Sequence, residues 1–455
     1  MSAFFLTFLL LLGFALAKNP PSRSLRFELI HRHADEVREL MGHPPLTRSQ
    51  RFQDLLRIDA RRTRLISEMV HRRRAAEVPR NASFFSMRLF SGAYSRTGQY
   101  FVRFRVGTPA QKFLLVADTG SDLTWMNCRY NCLHCNKTAH DRRRIFYADK
   151  SRSFHTISCA SRLCKELPFT LTRCPTPASP CLYDYRYGDG SMTFGIHAKE
   201  STTVTLSTGY KAKLKNLVIG CSTKFGGTSF READGVLGLG YSEHSFAARA
   251  TDRLGGKFSY CLVDHLSPKN ASSYIAFGTG KFSTAKMSYA NLLVSRPSDP
   301  FYAVEVDGLS IDGDMLPIPR SVWNIELDGG VIIDSGTSLT SLVEPAYEAV
   351  MTVLTKSLAR LPLVEEPPFE FCFDDTQGFD EATVPRLAVH FRGGATFFPA
   401  VKSYVVSVAD GVRCIGFMST PAPGLSLIGN ILQQNFLWQF DVAHGRLGFQ
   451  ASECG

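Results

Sequence analysis

Two aspartates occupy matching places in the sequence, each between an apolar run and a turn rich in hydroxyl residues. The first lies in "VADTGSDLTW" (116–125) and the second in "VIIDSGTSLT" (331–340). Asp and Gly form turns readily, so one such stretch alone would be ordinary at the end of a strand. Each copy is followed further along the chain by two apolar residues and a glycine, at 236–238 and 427–429. The repetition predicts two equivalent units, each placing a carboxylate at the end of a buried strand.

The two aspartates, Asp118 and Asp334, have the chemistry needed to hydrolyse an amide bond. The repeat places them face to face across a pseudo-twofold axis, where the two carboxyl groups share one site. Like charges at contact distance repel, so one group keeps a proton and acts as an acid while the other acts as a base. The pair predicts attack by water on a peptide bond, with no metal ion and no organic cofactor.

The elements that carry these turns are predicted to be short β-strands. After about residue 98 the chain alternates short apolar runs such as "QYFVRFRV" and "NLVIG" with turns of Gly, Pro, Asn and Ser. Many short runs with frequent turns favour a mostly β architecture. A chain of 455 residues is too long for one ordinary core, and "LLVSRPSDP" (292–300) is a plausible seam between two halves. Short helices are predicted near 345–361 and 428–435.

The first residues read as a secretory signal. An apolar stretch from Phe4 to Ala17 ends in the small-x-small pattern Ala15-Leu16-Ala17. This stretch is too short to span a bilayer comfortably. No later transmembrane run or apolar C-terminal tail is present in the sequence. We therefore expect entry into the secretory pathway without a membrane anchor.

A basic helix is predicted over residues 47–74. Its apolar residues recur at spacings of three, four and seven, and arginines fill the other face. Residues 1–88 hold 16 of the 52 Lys and Arg residues but only 8 of the 41 Asp and Glu residues. The helix is interpreted either as a solvated basic helix or as a detachable segment that covers an acidic cleft. The nearly neutral remainder lacks a basic patch with interleaved aromatics, which argues against nucleic-acid binding.

The twelve cysteines indicate an oxidising compartment. Seven lie between 128 and 181, at Cys128, Cys132, Cys135, Cys159, Cys164, Cys174 and Cys181. If all twelve cysteines form disulfides within the chain, at least one of these seven must bond to a cysteine outside the cluster, because seven is an odd number. The three late cysteines are also odd in number, so one bridge should join the two halves, with Cys454 bonded to Cys221 or Cys261. The alternative for "CRYNCLHC", with His134 and His140 nearby, is a zinc site.

Three Asn-x-Ser/Thr triplets predict N-glycosylation. The acceptors would be Asn81, Asn136 and Asn270. Such triplets arise often by chance, so they support the secretory interpretation but are not sufficient for it.

From about residue 98 to the end, the chain resembles the pepsin-type aspartic proteases, and within them the plant nepenthesin-like branch. The motifs that carry the resemblance are "DTGSDLTW", "YDYRYGDGSMTFG", "DGVLGLG", "FSYCLVDH", "DSGTSLT" and "LIGNILQQN". The second turn reads Asp-Ser-Gly rather than Asp-Thr-Gly, which keeps the hydroxyl group. The cysteine-rich stretch matches the extra disulfide-bonded region of the plant branch.

The resemblance implies a role for each residue of the motifs. Asp118 and Asp334 would be the catalytic pair, supported by the two turns Thr119, Gly120, Ser121 and Ser335, Gly336, Thr337. Thr119 and Ser335 would bridge the two turns, while Ser121 and Thr337 would orient the carboxylates. Tyr187 would close over the substrate from a flap, with Trp125 as its hydrogen-bonding partner. The alternatives are that Tyr187 packs on a hairpin and that Trp125 anchors the core.

The resemblance also implies the architecture: an all-β, two-lobed, pepsin-like double β-barrel with pseudo-twofold symmetry, preceded by a helical propeptide. The expected divisions are a signal peptide (1–17), a propeptide (18–88), an N-terminal lobe with the cysteine-rich insertion and flap (89–295), and a C-terminal lobe (296–455). No propeptide lysine is evident in the position that would cap the two aspartates.

The predicted function is an aspartic endopeptidase of the secretory pathway, made as a zymogen. Its partners would be polypeptide substrates and its own propeptide, and we expect a monomer that does not bind nucleic acid. The extracellular space or the vacuole is the expected destination, and the resemblance leaves the chloroplast open. The alternative function is a catalytically inactive pepsin-like binding or inhibitor protein. Intact Asp118, Asp334 and Tyr187 argue against that alternative.

Overall fold

The structure is a computed structural model that describes the C-terminal part of the chain continuously, the middle part with gaps and the N-terminal part mostly at selected positions. It describes residues 24–31, nine positions between 44 and 66 (44, 47, 49, 50, 52, 53, 59, 63 and 66), 100–130, 144–167, 175–186, 192–205, 211–226, 233–252, 256–264, 273–278, 286–293 and 300–454.

Most of the regular structure in the described residues is strand. In the N-terminal half the strands are β1 (Ser24–His31), β2 (Tyr100–Val106), β3 (Gln111–Asp118), β4 (Trp125–Arg129), β5 (Phe146–Tyr147), β6 (His155–Thr156), β7 (Leu182–Arg186), β8 (Met192–Thr205), β9 (Lys211–Gly226), β10 (Gly235–Gly238), β11 (Lys257–Cys261), β12 (Ser273–Gly278) and β13 (Ser288–Leu293). In the C-terminal half they are β14 (Tyr302–Val304), β15 (Val306–Ile311), β16 (Asp314–Met315), β17 (Val331–Ile333), β18 (Thr340–Val343), β19 (Leu363–Val364), β20 (Cys372–Asp374), β21 (Leu387–Phe391), β22 (Thr396–Phe397), β23 (Val405–Ala409), β24 (Val412–Ile415), β25 (Phe417–Thr420), β26 (Ser426–Ile428), β27 (Phe436–Asp441) and β28 (Arg446–Ala451).

Helices are short and few among the elements with defined bounds. The α-helices are α1 (Arg162–Glu166), α2 (Phe246–Asp252) and α3 (Glu344–Leu358). Single 3-10 turns are formed by Ala148–Lys150, Arg320–Trp323, Ile325–Leu327, Glu381–Thr383, Val401–Ser403 and Val442–His444. The mostly β prediction is confirmed.

One sheet joins the two halves of the chain. Strand β11 pairs with β12 on one side and with β27 on the other, and β27 continues through β28 to β13. In the core under this sheet, the rings of Phe258 and Phe440 stack with centroids 4.6 Å apart and planes 2° from parallel. Apolar contact across the junction holds the two halves in one relative position.

The helix predicted near 345–361 is confirmed by α3, whereas the helix predicted near 428–435 is wrong. Residues 430–435 form turns, and the backbone amides at their start bond to the loop that follows Asp334. The amides of Asn430 and Ile431 donate to the carbonyls of Thr337 (2.7 Å) and Ser338 (3.0 Å). Further on, the amides of Gln433 and Gln434 donate three residues back, to the carbonyls of Asn430 (3.2 Å) and Ile431 (3.3 Å), which is the spacing of turns and not the i to i−4 ladder of an α-helix.

The N-terminal segment contains a strand that the sequence analysis did not predict. Strand β1 pairs antiparallel with β12 along six residues and with β2 at its end. Within the described positions 49, 50, 52, 53, 59, 63 and 66 the backbone is helical, as predicted. Phe52 and Ile66, two residues of the predicted apolar face, are buried.

The disulfides agree with the parity argument. Cys128 of the cysteine-rich cluster is bonded to Cys221 outside it, and Cys454 is bonded to Cys261, which joins the two halves. The other bridges between described residues are Cys164–Cys181 and Cys372–Cys414, and Cys159 is bonded to a partner outside the described residues. Because its sulfur is in a disulfide, Cys128 is not a zinc ligand. Cys132, Cys135, His134 and His140 lie outside the described residues.

Candidate active site

Two copies of one three-strand unit deliver the two aspartates. In the first, β3 runs parallel to β10, which pairs antiparallel with β4. In the second, β17 runs parallel to β26, which pairs antiparallel with β18. Asp118 ends β3, and Asp334 directly follows β17. The repeated topology explains why both motifs carry an apolar run before the aspartate: these strands are buried on both faces.

Glycine is required at positions 238 and 429, because the backbone there passes too close to the loop after each aspartate turn to leave room for a side chain. A Cβ on Gly238 would lie 2.5 Å from the carbonyl oxygen of Asp122, and one on Gly429 would lie 2.5 Å from those of Ser338 and Leu339. The glycines that follow the two apolar residues in each half therefore allow the turn after each aspartate to pack against the crossing strand.

The two carboxyl groups are buried and are held alike by their own turns. Asp118 and Asp334 both have 0% of their surface exposed. Oδ1 of Asp118 accepts from the amide of Gly120, and Oδ1 of Asp334 accepts from the amide of Gly336, both at 2.9 Å. Oδ1 of each carboxyl group is therefore held in the same way in both halves. The surroundings of Oδ2 differ between them.

Reciprocal hydrogen bonds of Thr119 and Ser335 link the two turns. The amide of Ser335 donates to Oγ1 of Thr119 (3.0 Å), and the amide of Thr119 donates to Oγ of Ser335 (3.3 Å). The two hydroxyls also bond to each other at 3.2 Å. The structure thus brings together residues 216 positions apart, and with them the aspartates that precede each one.

The second hydroxyl residue of each turn behaves differently in the two halves. The hydroxyl of Thr337 donates to Oδ2 of Asp334 at 2.6 Å. The hydroxyl of Ser121 is buried and has no hydrogen-bond partner among the described residues. The orienting contact expected of both residues is therefore present only at Asp334.

A layer of polar residues behind Asp334 was not predicted from the sequence. The side-chain amide of Asn430 donates to the carbonyl of Ser335 (3.0 Å), and that of Gln433 donates to the carbonyl of Asp334 (3.3 Å). Burial raises the pKa of Tyr260 well above its ordinary value, and the charge of Asp334 raises it further. Tyr260 therefore stays protonated and donates to Oε1 of Gln433. The motif "LIGNILQQN" contains Asn430 and Gln433, but nothing in it pointed to a contact with the aspartate turn.

The flap region is only partly described. Trp125 is buried and packs with Leu123, Tyr183 and Tyr185, and its ring centroid lies 6.1 Å from that of Phe225. Tyr187 lies outside the described residues, between the ends of β7 and β8, which pair antiparallel. The partnership of Tyr187 with Trp125 stays a prediction. The acceptors Asn81, Asn136 and Asn270 also lie outside the described residues.

Among the described residues, no group of three or more His, Cys, Asp or Glu side chains is placed to hold a metal ion. Within the same residues, no helix is both long enough and apolar enough to cross a membrane.

Family models match both halves of the chain. Residues 100–279 match the model described as "Xylanase inhibitor N-terminal", and residues 301–451 match "Xylanase inhibitor C-terminal". The chain is 36% identical over 422 residues to Aspartyl protease family protein 2 of Arabidopsis thaliana, with 90% of this chain and 82% of that protein covered. It is 30% identical over 416 residues to Aspartic proteinase nepenthesin-2 of Nepenthes gracilis, with 90% and 87% covered.

Solved structures share the fold at lower identity. Basic 7S globulin from soybean superposes with a TM-score of 0.62 at 18% identity, covering 79% of this chain and 94% of that one. Conglutin gamma, a basic 7S globulin from lupine seeds, gives a TM-score of 0.61 at 19% identity, covering 78% and 91%.

Proposed function

The chain belongs to the plant pepsin-type aspartic proteases of the nepenthesin-like branch and is an aspartic-type endopeptidase, and we propose that it works through a water molecule held between Asp118 and Asp334. The observation that carries the proposal is the reciprocal bridge between Thr119 and Ser335, which ties the two aspartate turns together. Two carboxyl groups held together in this way share one proton, because both cannot be charged at small separation.

In the proposed reaction the ionised carboxylate removes a proton from water, whose oxygen attacks the peptide carbonyl carbon. The protonated carboxyl group of the pair donates its proton to the carbonyl oxygen. Collapse of the tetrahedral intermediate breaks the C–N bond: the nitrogen receives a proton from the pair and leaves as an amine, while one hydroxyl group of the intermediate returns a proton to the pair, so that the acid product forms and the pair again holds one proton. The turn hydrogen bonds from Gly120 and Gly336 hold the reacting groups in place throughout.

The remaining site residues have supporting parts in this proposal. Tyr187 would close over the bound substrate and exclude water, and Trp125 would hold it from the buried side. The burial of Trp125 among aromatic residues at the start of β4 is consistent with a fixed support for a moving flap.

We further propose that the chain is made as a zymogen and follows the secretory pathway. The signal-like residues 1–17 and the disulfides support this route. The burial of Phe52 and Ile66 against the C-terminal half supports a propeptide that docks on the enzyme body. The proposed protein is a monomer with polypeptide substrates, destined for the extracellular space or the vacuole.

Cleavage of a peptide library by the purified protein at acid pH tests the mechanism. Asp118→Asn and Asp334→Asn should each lower turnover about a thousandfold, because each removes one half of the acid–base pair. Asp314→Asn, on the exposed strand β16, is the matched control and should keep parental activity. A statine-type mimic of the tetrahedral intermediate should inhibit the parent. Turnover retained in either active-site variant would refute the two-aspartate mechanism, and no cleavage by the parent would favour a binding protein.

A further inference from the structure

Two buried tyrosines donate hydrogen bonds to the loops that hold the aspartates. Tyr260 lies in β11 of the N-terminal half and Tyr302 in β14 of the C-terminal half, and each has 1% of its surface exposed. Burial raises the pKa of both phenol groups far above the ordinary value, so both keep their protons and act as donors. A buried hydroxyl group needs an acceptor, and each tyrosine finds one in the half to which it does not belong.

Tyr302 is connected to the first aspartate turn through Leu239. Its hydroxyl donates to the carbonyl of Leu239 at 2.8 Å, and the amide of Leu239 donates to the carbonyl of Asp118 at 2.9 Å. Leu239 directly follows β10, the strand that runs parallel to β3. Two hydrogen bonds therefore connect a side chain of the C-terminal half to the backbone of Asp118.

Tyr260 makes the reverse connection through Gln433. Its hydroxyl donates to Oε1 of Gln433. Nε2 of Gln433 donates to the carbonyls of Ile428 at 2.7 Å and of Asp334 at 3.3 Å. The orientation of this amide is fixed, because turning it over would place its oxygen against two carbonyl oxygens. Two hydrogen bonds therefore connect a side chain of the N-terminal half to the backbone of Asp334.

Both tyrosines pack on one ring at the junction of the halves. The ring centroid of Phe440 lies 5.4 Å from that of Tyr260 and 4.6 Å from that of Tyr302. Next to Tyr260 in the chain, Cys261 is bonded to Cys454. Because protein interiors are densely packed, neither tyrosine can shift without displacing the shared ring. The two connections therefore start from one rigid part of the core.

We propose that Tyr260 and Tyr302 are positioning residues for catalysis, each holding the aspartate turn of the opposite half through one intervening residue. The bridge between Thr119 and Ser335 fixes the two turns to each other, and the crossed connections fix each turn to the body of the other half. A misplacement of about 1 Å far from the reacting atoms can lower turnover about a hundredfold. The inference rests on the proposed two-aspartate mechanism.

Steady-state cleavage of one peptide at acid pH tests the catalytic role. Tyr260→Phe and Tyr302→Phe remove only a hydroxyl group. Each should lower kcat about tenfold and change KM less than about twofold, because the reacting groups are displaced while substrate binding is kept.

The matched control is Tyr404→Phe, in which a buried hydroxyl group that donates to the carbonyl of Pro385 at 2.7 Å is lost outside both aspartate turns. This variant should keep the parental kcat, and thermal unfolding compares the stability of all three. Parental kcat in Tyr260→Phe or Tyr302→Phe, or an equal loss in Tyr404→Phe, would overturn the proposal.

Hydrogen exchange in the full-length chain gives a test that does not depend on cleavage. The amides of Gly120 and Gly336, which donate to the two aspartates, report on the two turns separately. Tyr260→Phe should raise the exchange rate at Gly336 about tenfold and leave that at Gly120 within about twofold. Tyr302→Phe should do the reverse. A general loss of stability would instead raise both rates together.

The exchange pattern separates failure of this inference from failure of the proposed function. Equal changes at the two glycines would overturn the crossed connections even if the chain cleaves peptides. The crossed pattern in a chain that cleaves no peptide would confirm the connections and refute the peptidase mechanism.

Discussion

At the residue scale, the hydroxyl groups beside the two aspartates are used unequally. Thr337 donates to Asp334 at 2.6 Å, while Ser121, at the matching place, has no hydrogen-bond partner among the described residues. Pseudo-twofold symmetry of the backbone therefore does not extend to the second oxygen of each carboxyl group. The asymmetry suits a pair in which one member accepts a proton and the other donates one.

This asymmetry predicts unequal effects of removing the two hydroxyls. Thr337→Val should lower kcat/KM about ten- to a hundredfold, because a hydrogen bond to a charged group is worth about 1.5–3 kcal/mol. Ser121→Ala should lower it about twofold at most, because no such bond is lost. Steady-state kinetics with one peptide substrate measures both, and thermal unfolding checks that each variant is folded. Equal losses in the two variants would show that Ser121 also orients its aspartate.

At the element scale, one buried carboxylate ties together the strands that join the halves. Asp441 ends β27, and its side chain contacts Arg446 of β28 (2.8 Å), Lys257 of β11 (3.0 Å) and His444 (2.7 Å). Burial alone raises the pKa of Asp441, but the hydrogen bonds from His444, Arg446 and Lys257 outweigh it and leave the pKa below its ordinary value. The charged form of Asp441 is therefore favoured in the folded protein.

The sign of this shift sets the pH dependence of stability. A lowered carboxyl pKa contributes stability above the unfolded value of about 3.9, and the contribution is lost as pH falls through the lower folded value. Asp441→Asn should cost about 1–3 kcal/mol near pH 6, since its partners are partly exposed. The cost should shrink below pH 3. Thermal unfolding at both pH values measures it, with Asp314→Asn, on the exposed strand β16, as the control. A loss that is the same at both pH values would contradict the ionic origin.

At the scale of the whole molecule, the N-terminal segment is integrated into the body at two places. Strand β1 extends the sheet through β12, and Asp59 contacts the loop that follows the Asp334 turn. The segment before Leu89 carries +8 of the net charge and the histidines His31, His33, His43 and His71. Its release must therefore break strand pairing and polar contacts as well as apolar packing.

Acid should trigger this release in the proposed zymogen. As pH falls, any body carboxylates that pair with the basic segment would take up protons, and the histidines of the segment, a residue type whose unperturbed pKa is about 6.5, would add positive charge. A paired carboxylate has a depressed pKa, so its attraction is lost as pH falls through that value. Conversion of the purified precursor to a shorter form should therefore rise in mild acid, and high salt should promote it near neutrality by screening. Gel analysis over a pH series at two salt concentrations measures this. Conversion at a rate that is independent of both pH and salt concentration would contradict the charge mechanism.

The sequence by itself determined the class of fold and predicted the pair of aspartates proposed to be catalytic. Repeated apolar runs ending in Asp118 and Asp334 are local patterns, and local patterns report strand ends and turns directly. Counting cysteines sufficed to predict a bridge between the halves, because an odd number cannot pair within itself. Cys261–Cys454 satisfies that count, but choosing Cys261 over Cys221 required the pairing of β11 beside β27.

Only the tertiary structure decided which groups touch the aspartate turns. Residues 428–435 read as a helix in sequence, yet the amides of Asn430 and Ile431 bond to residues nearly a hundred positions earlier. The contact of Asp59 with Ser338 spans 279 positions, and no local period encodes it. Burial and hydrogen bonding between distant segments outweigh local propensity there, because buried backbone amides must find acceptors wherever the fold supplies them.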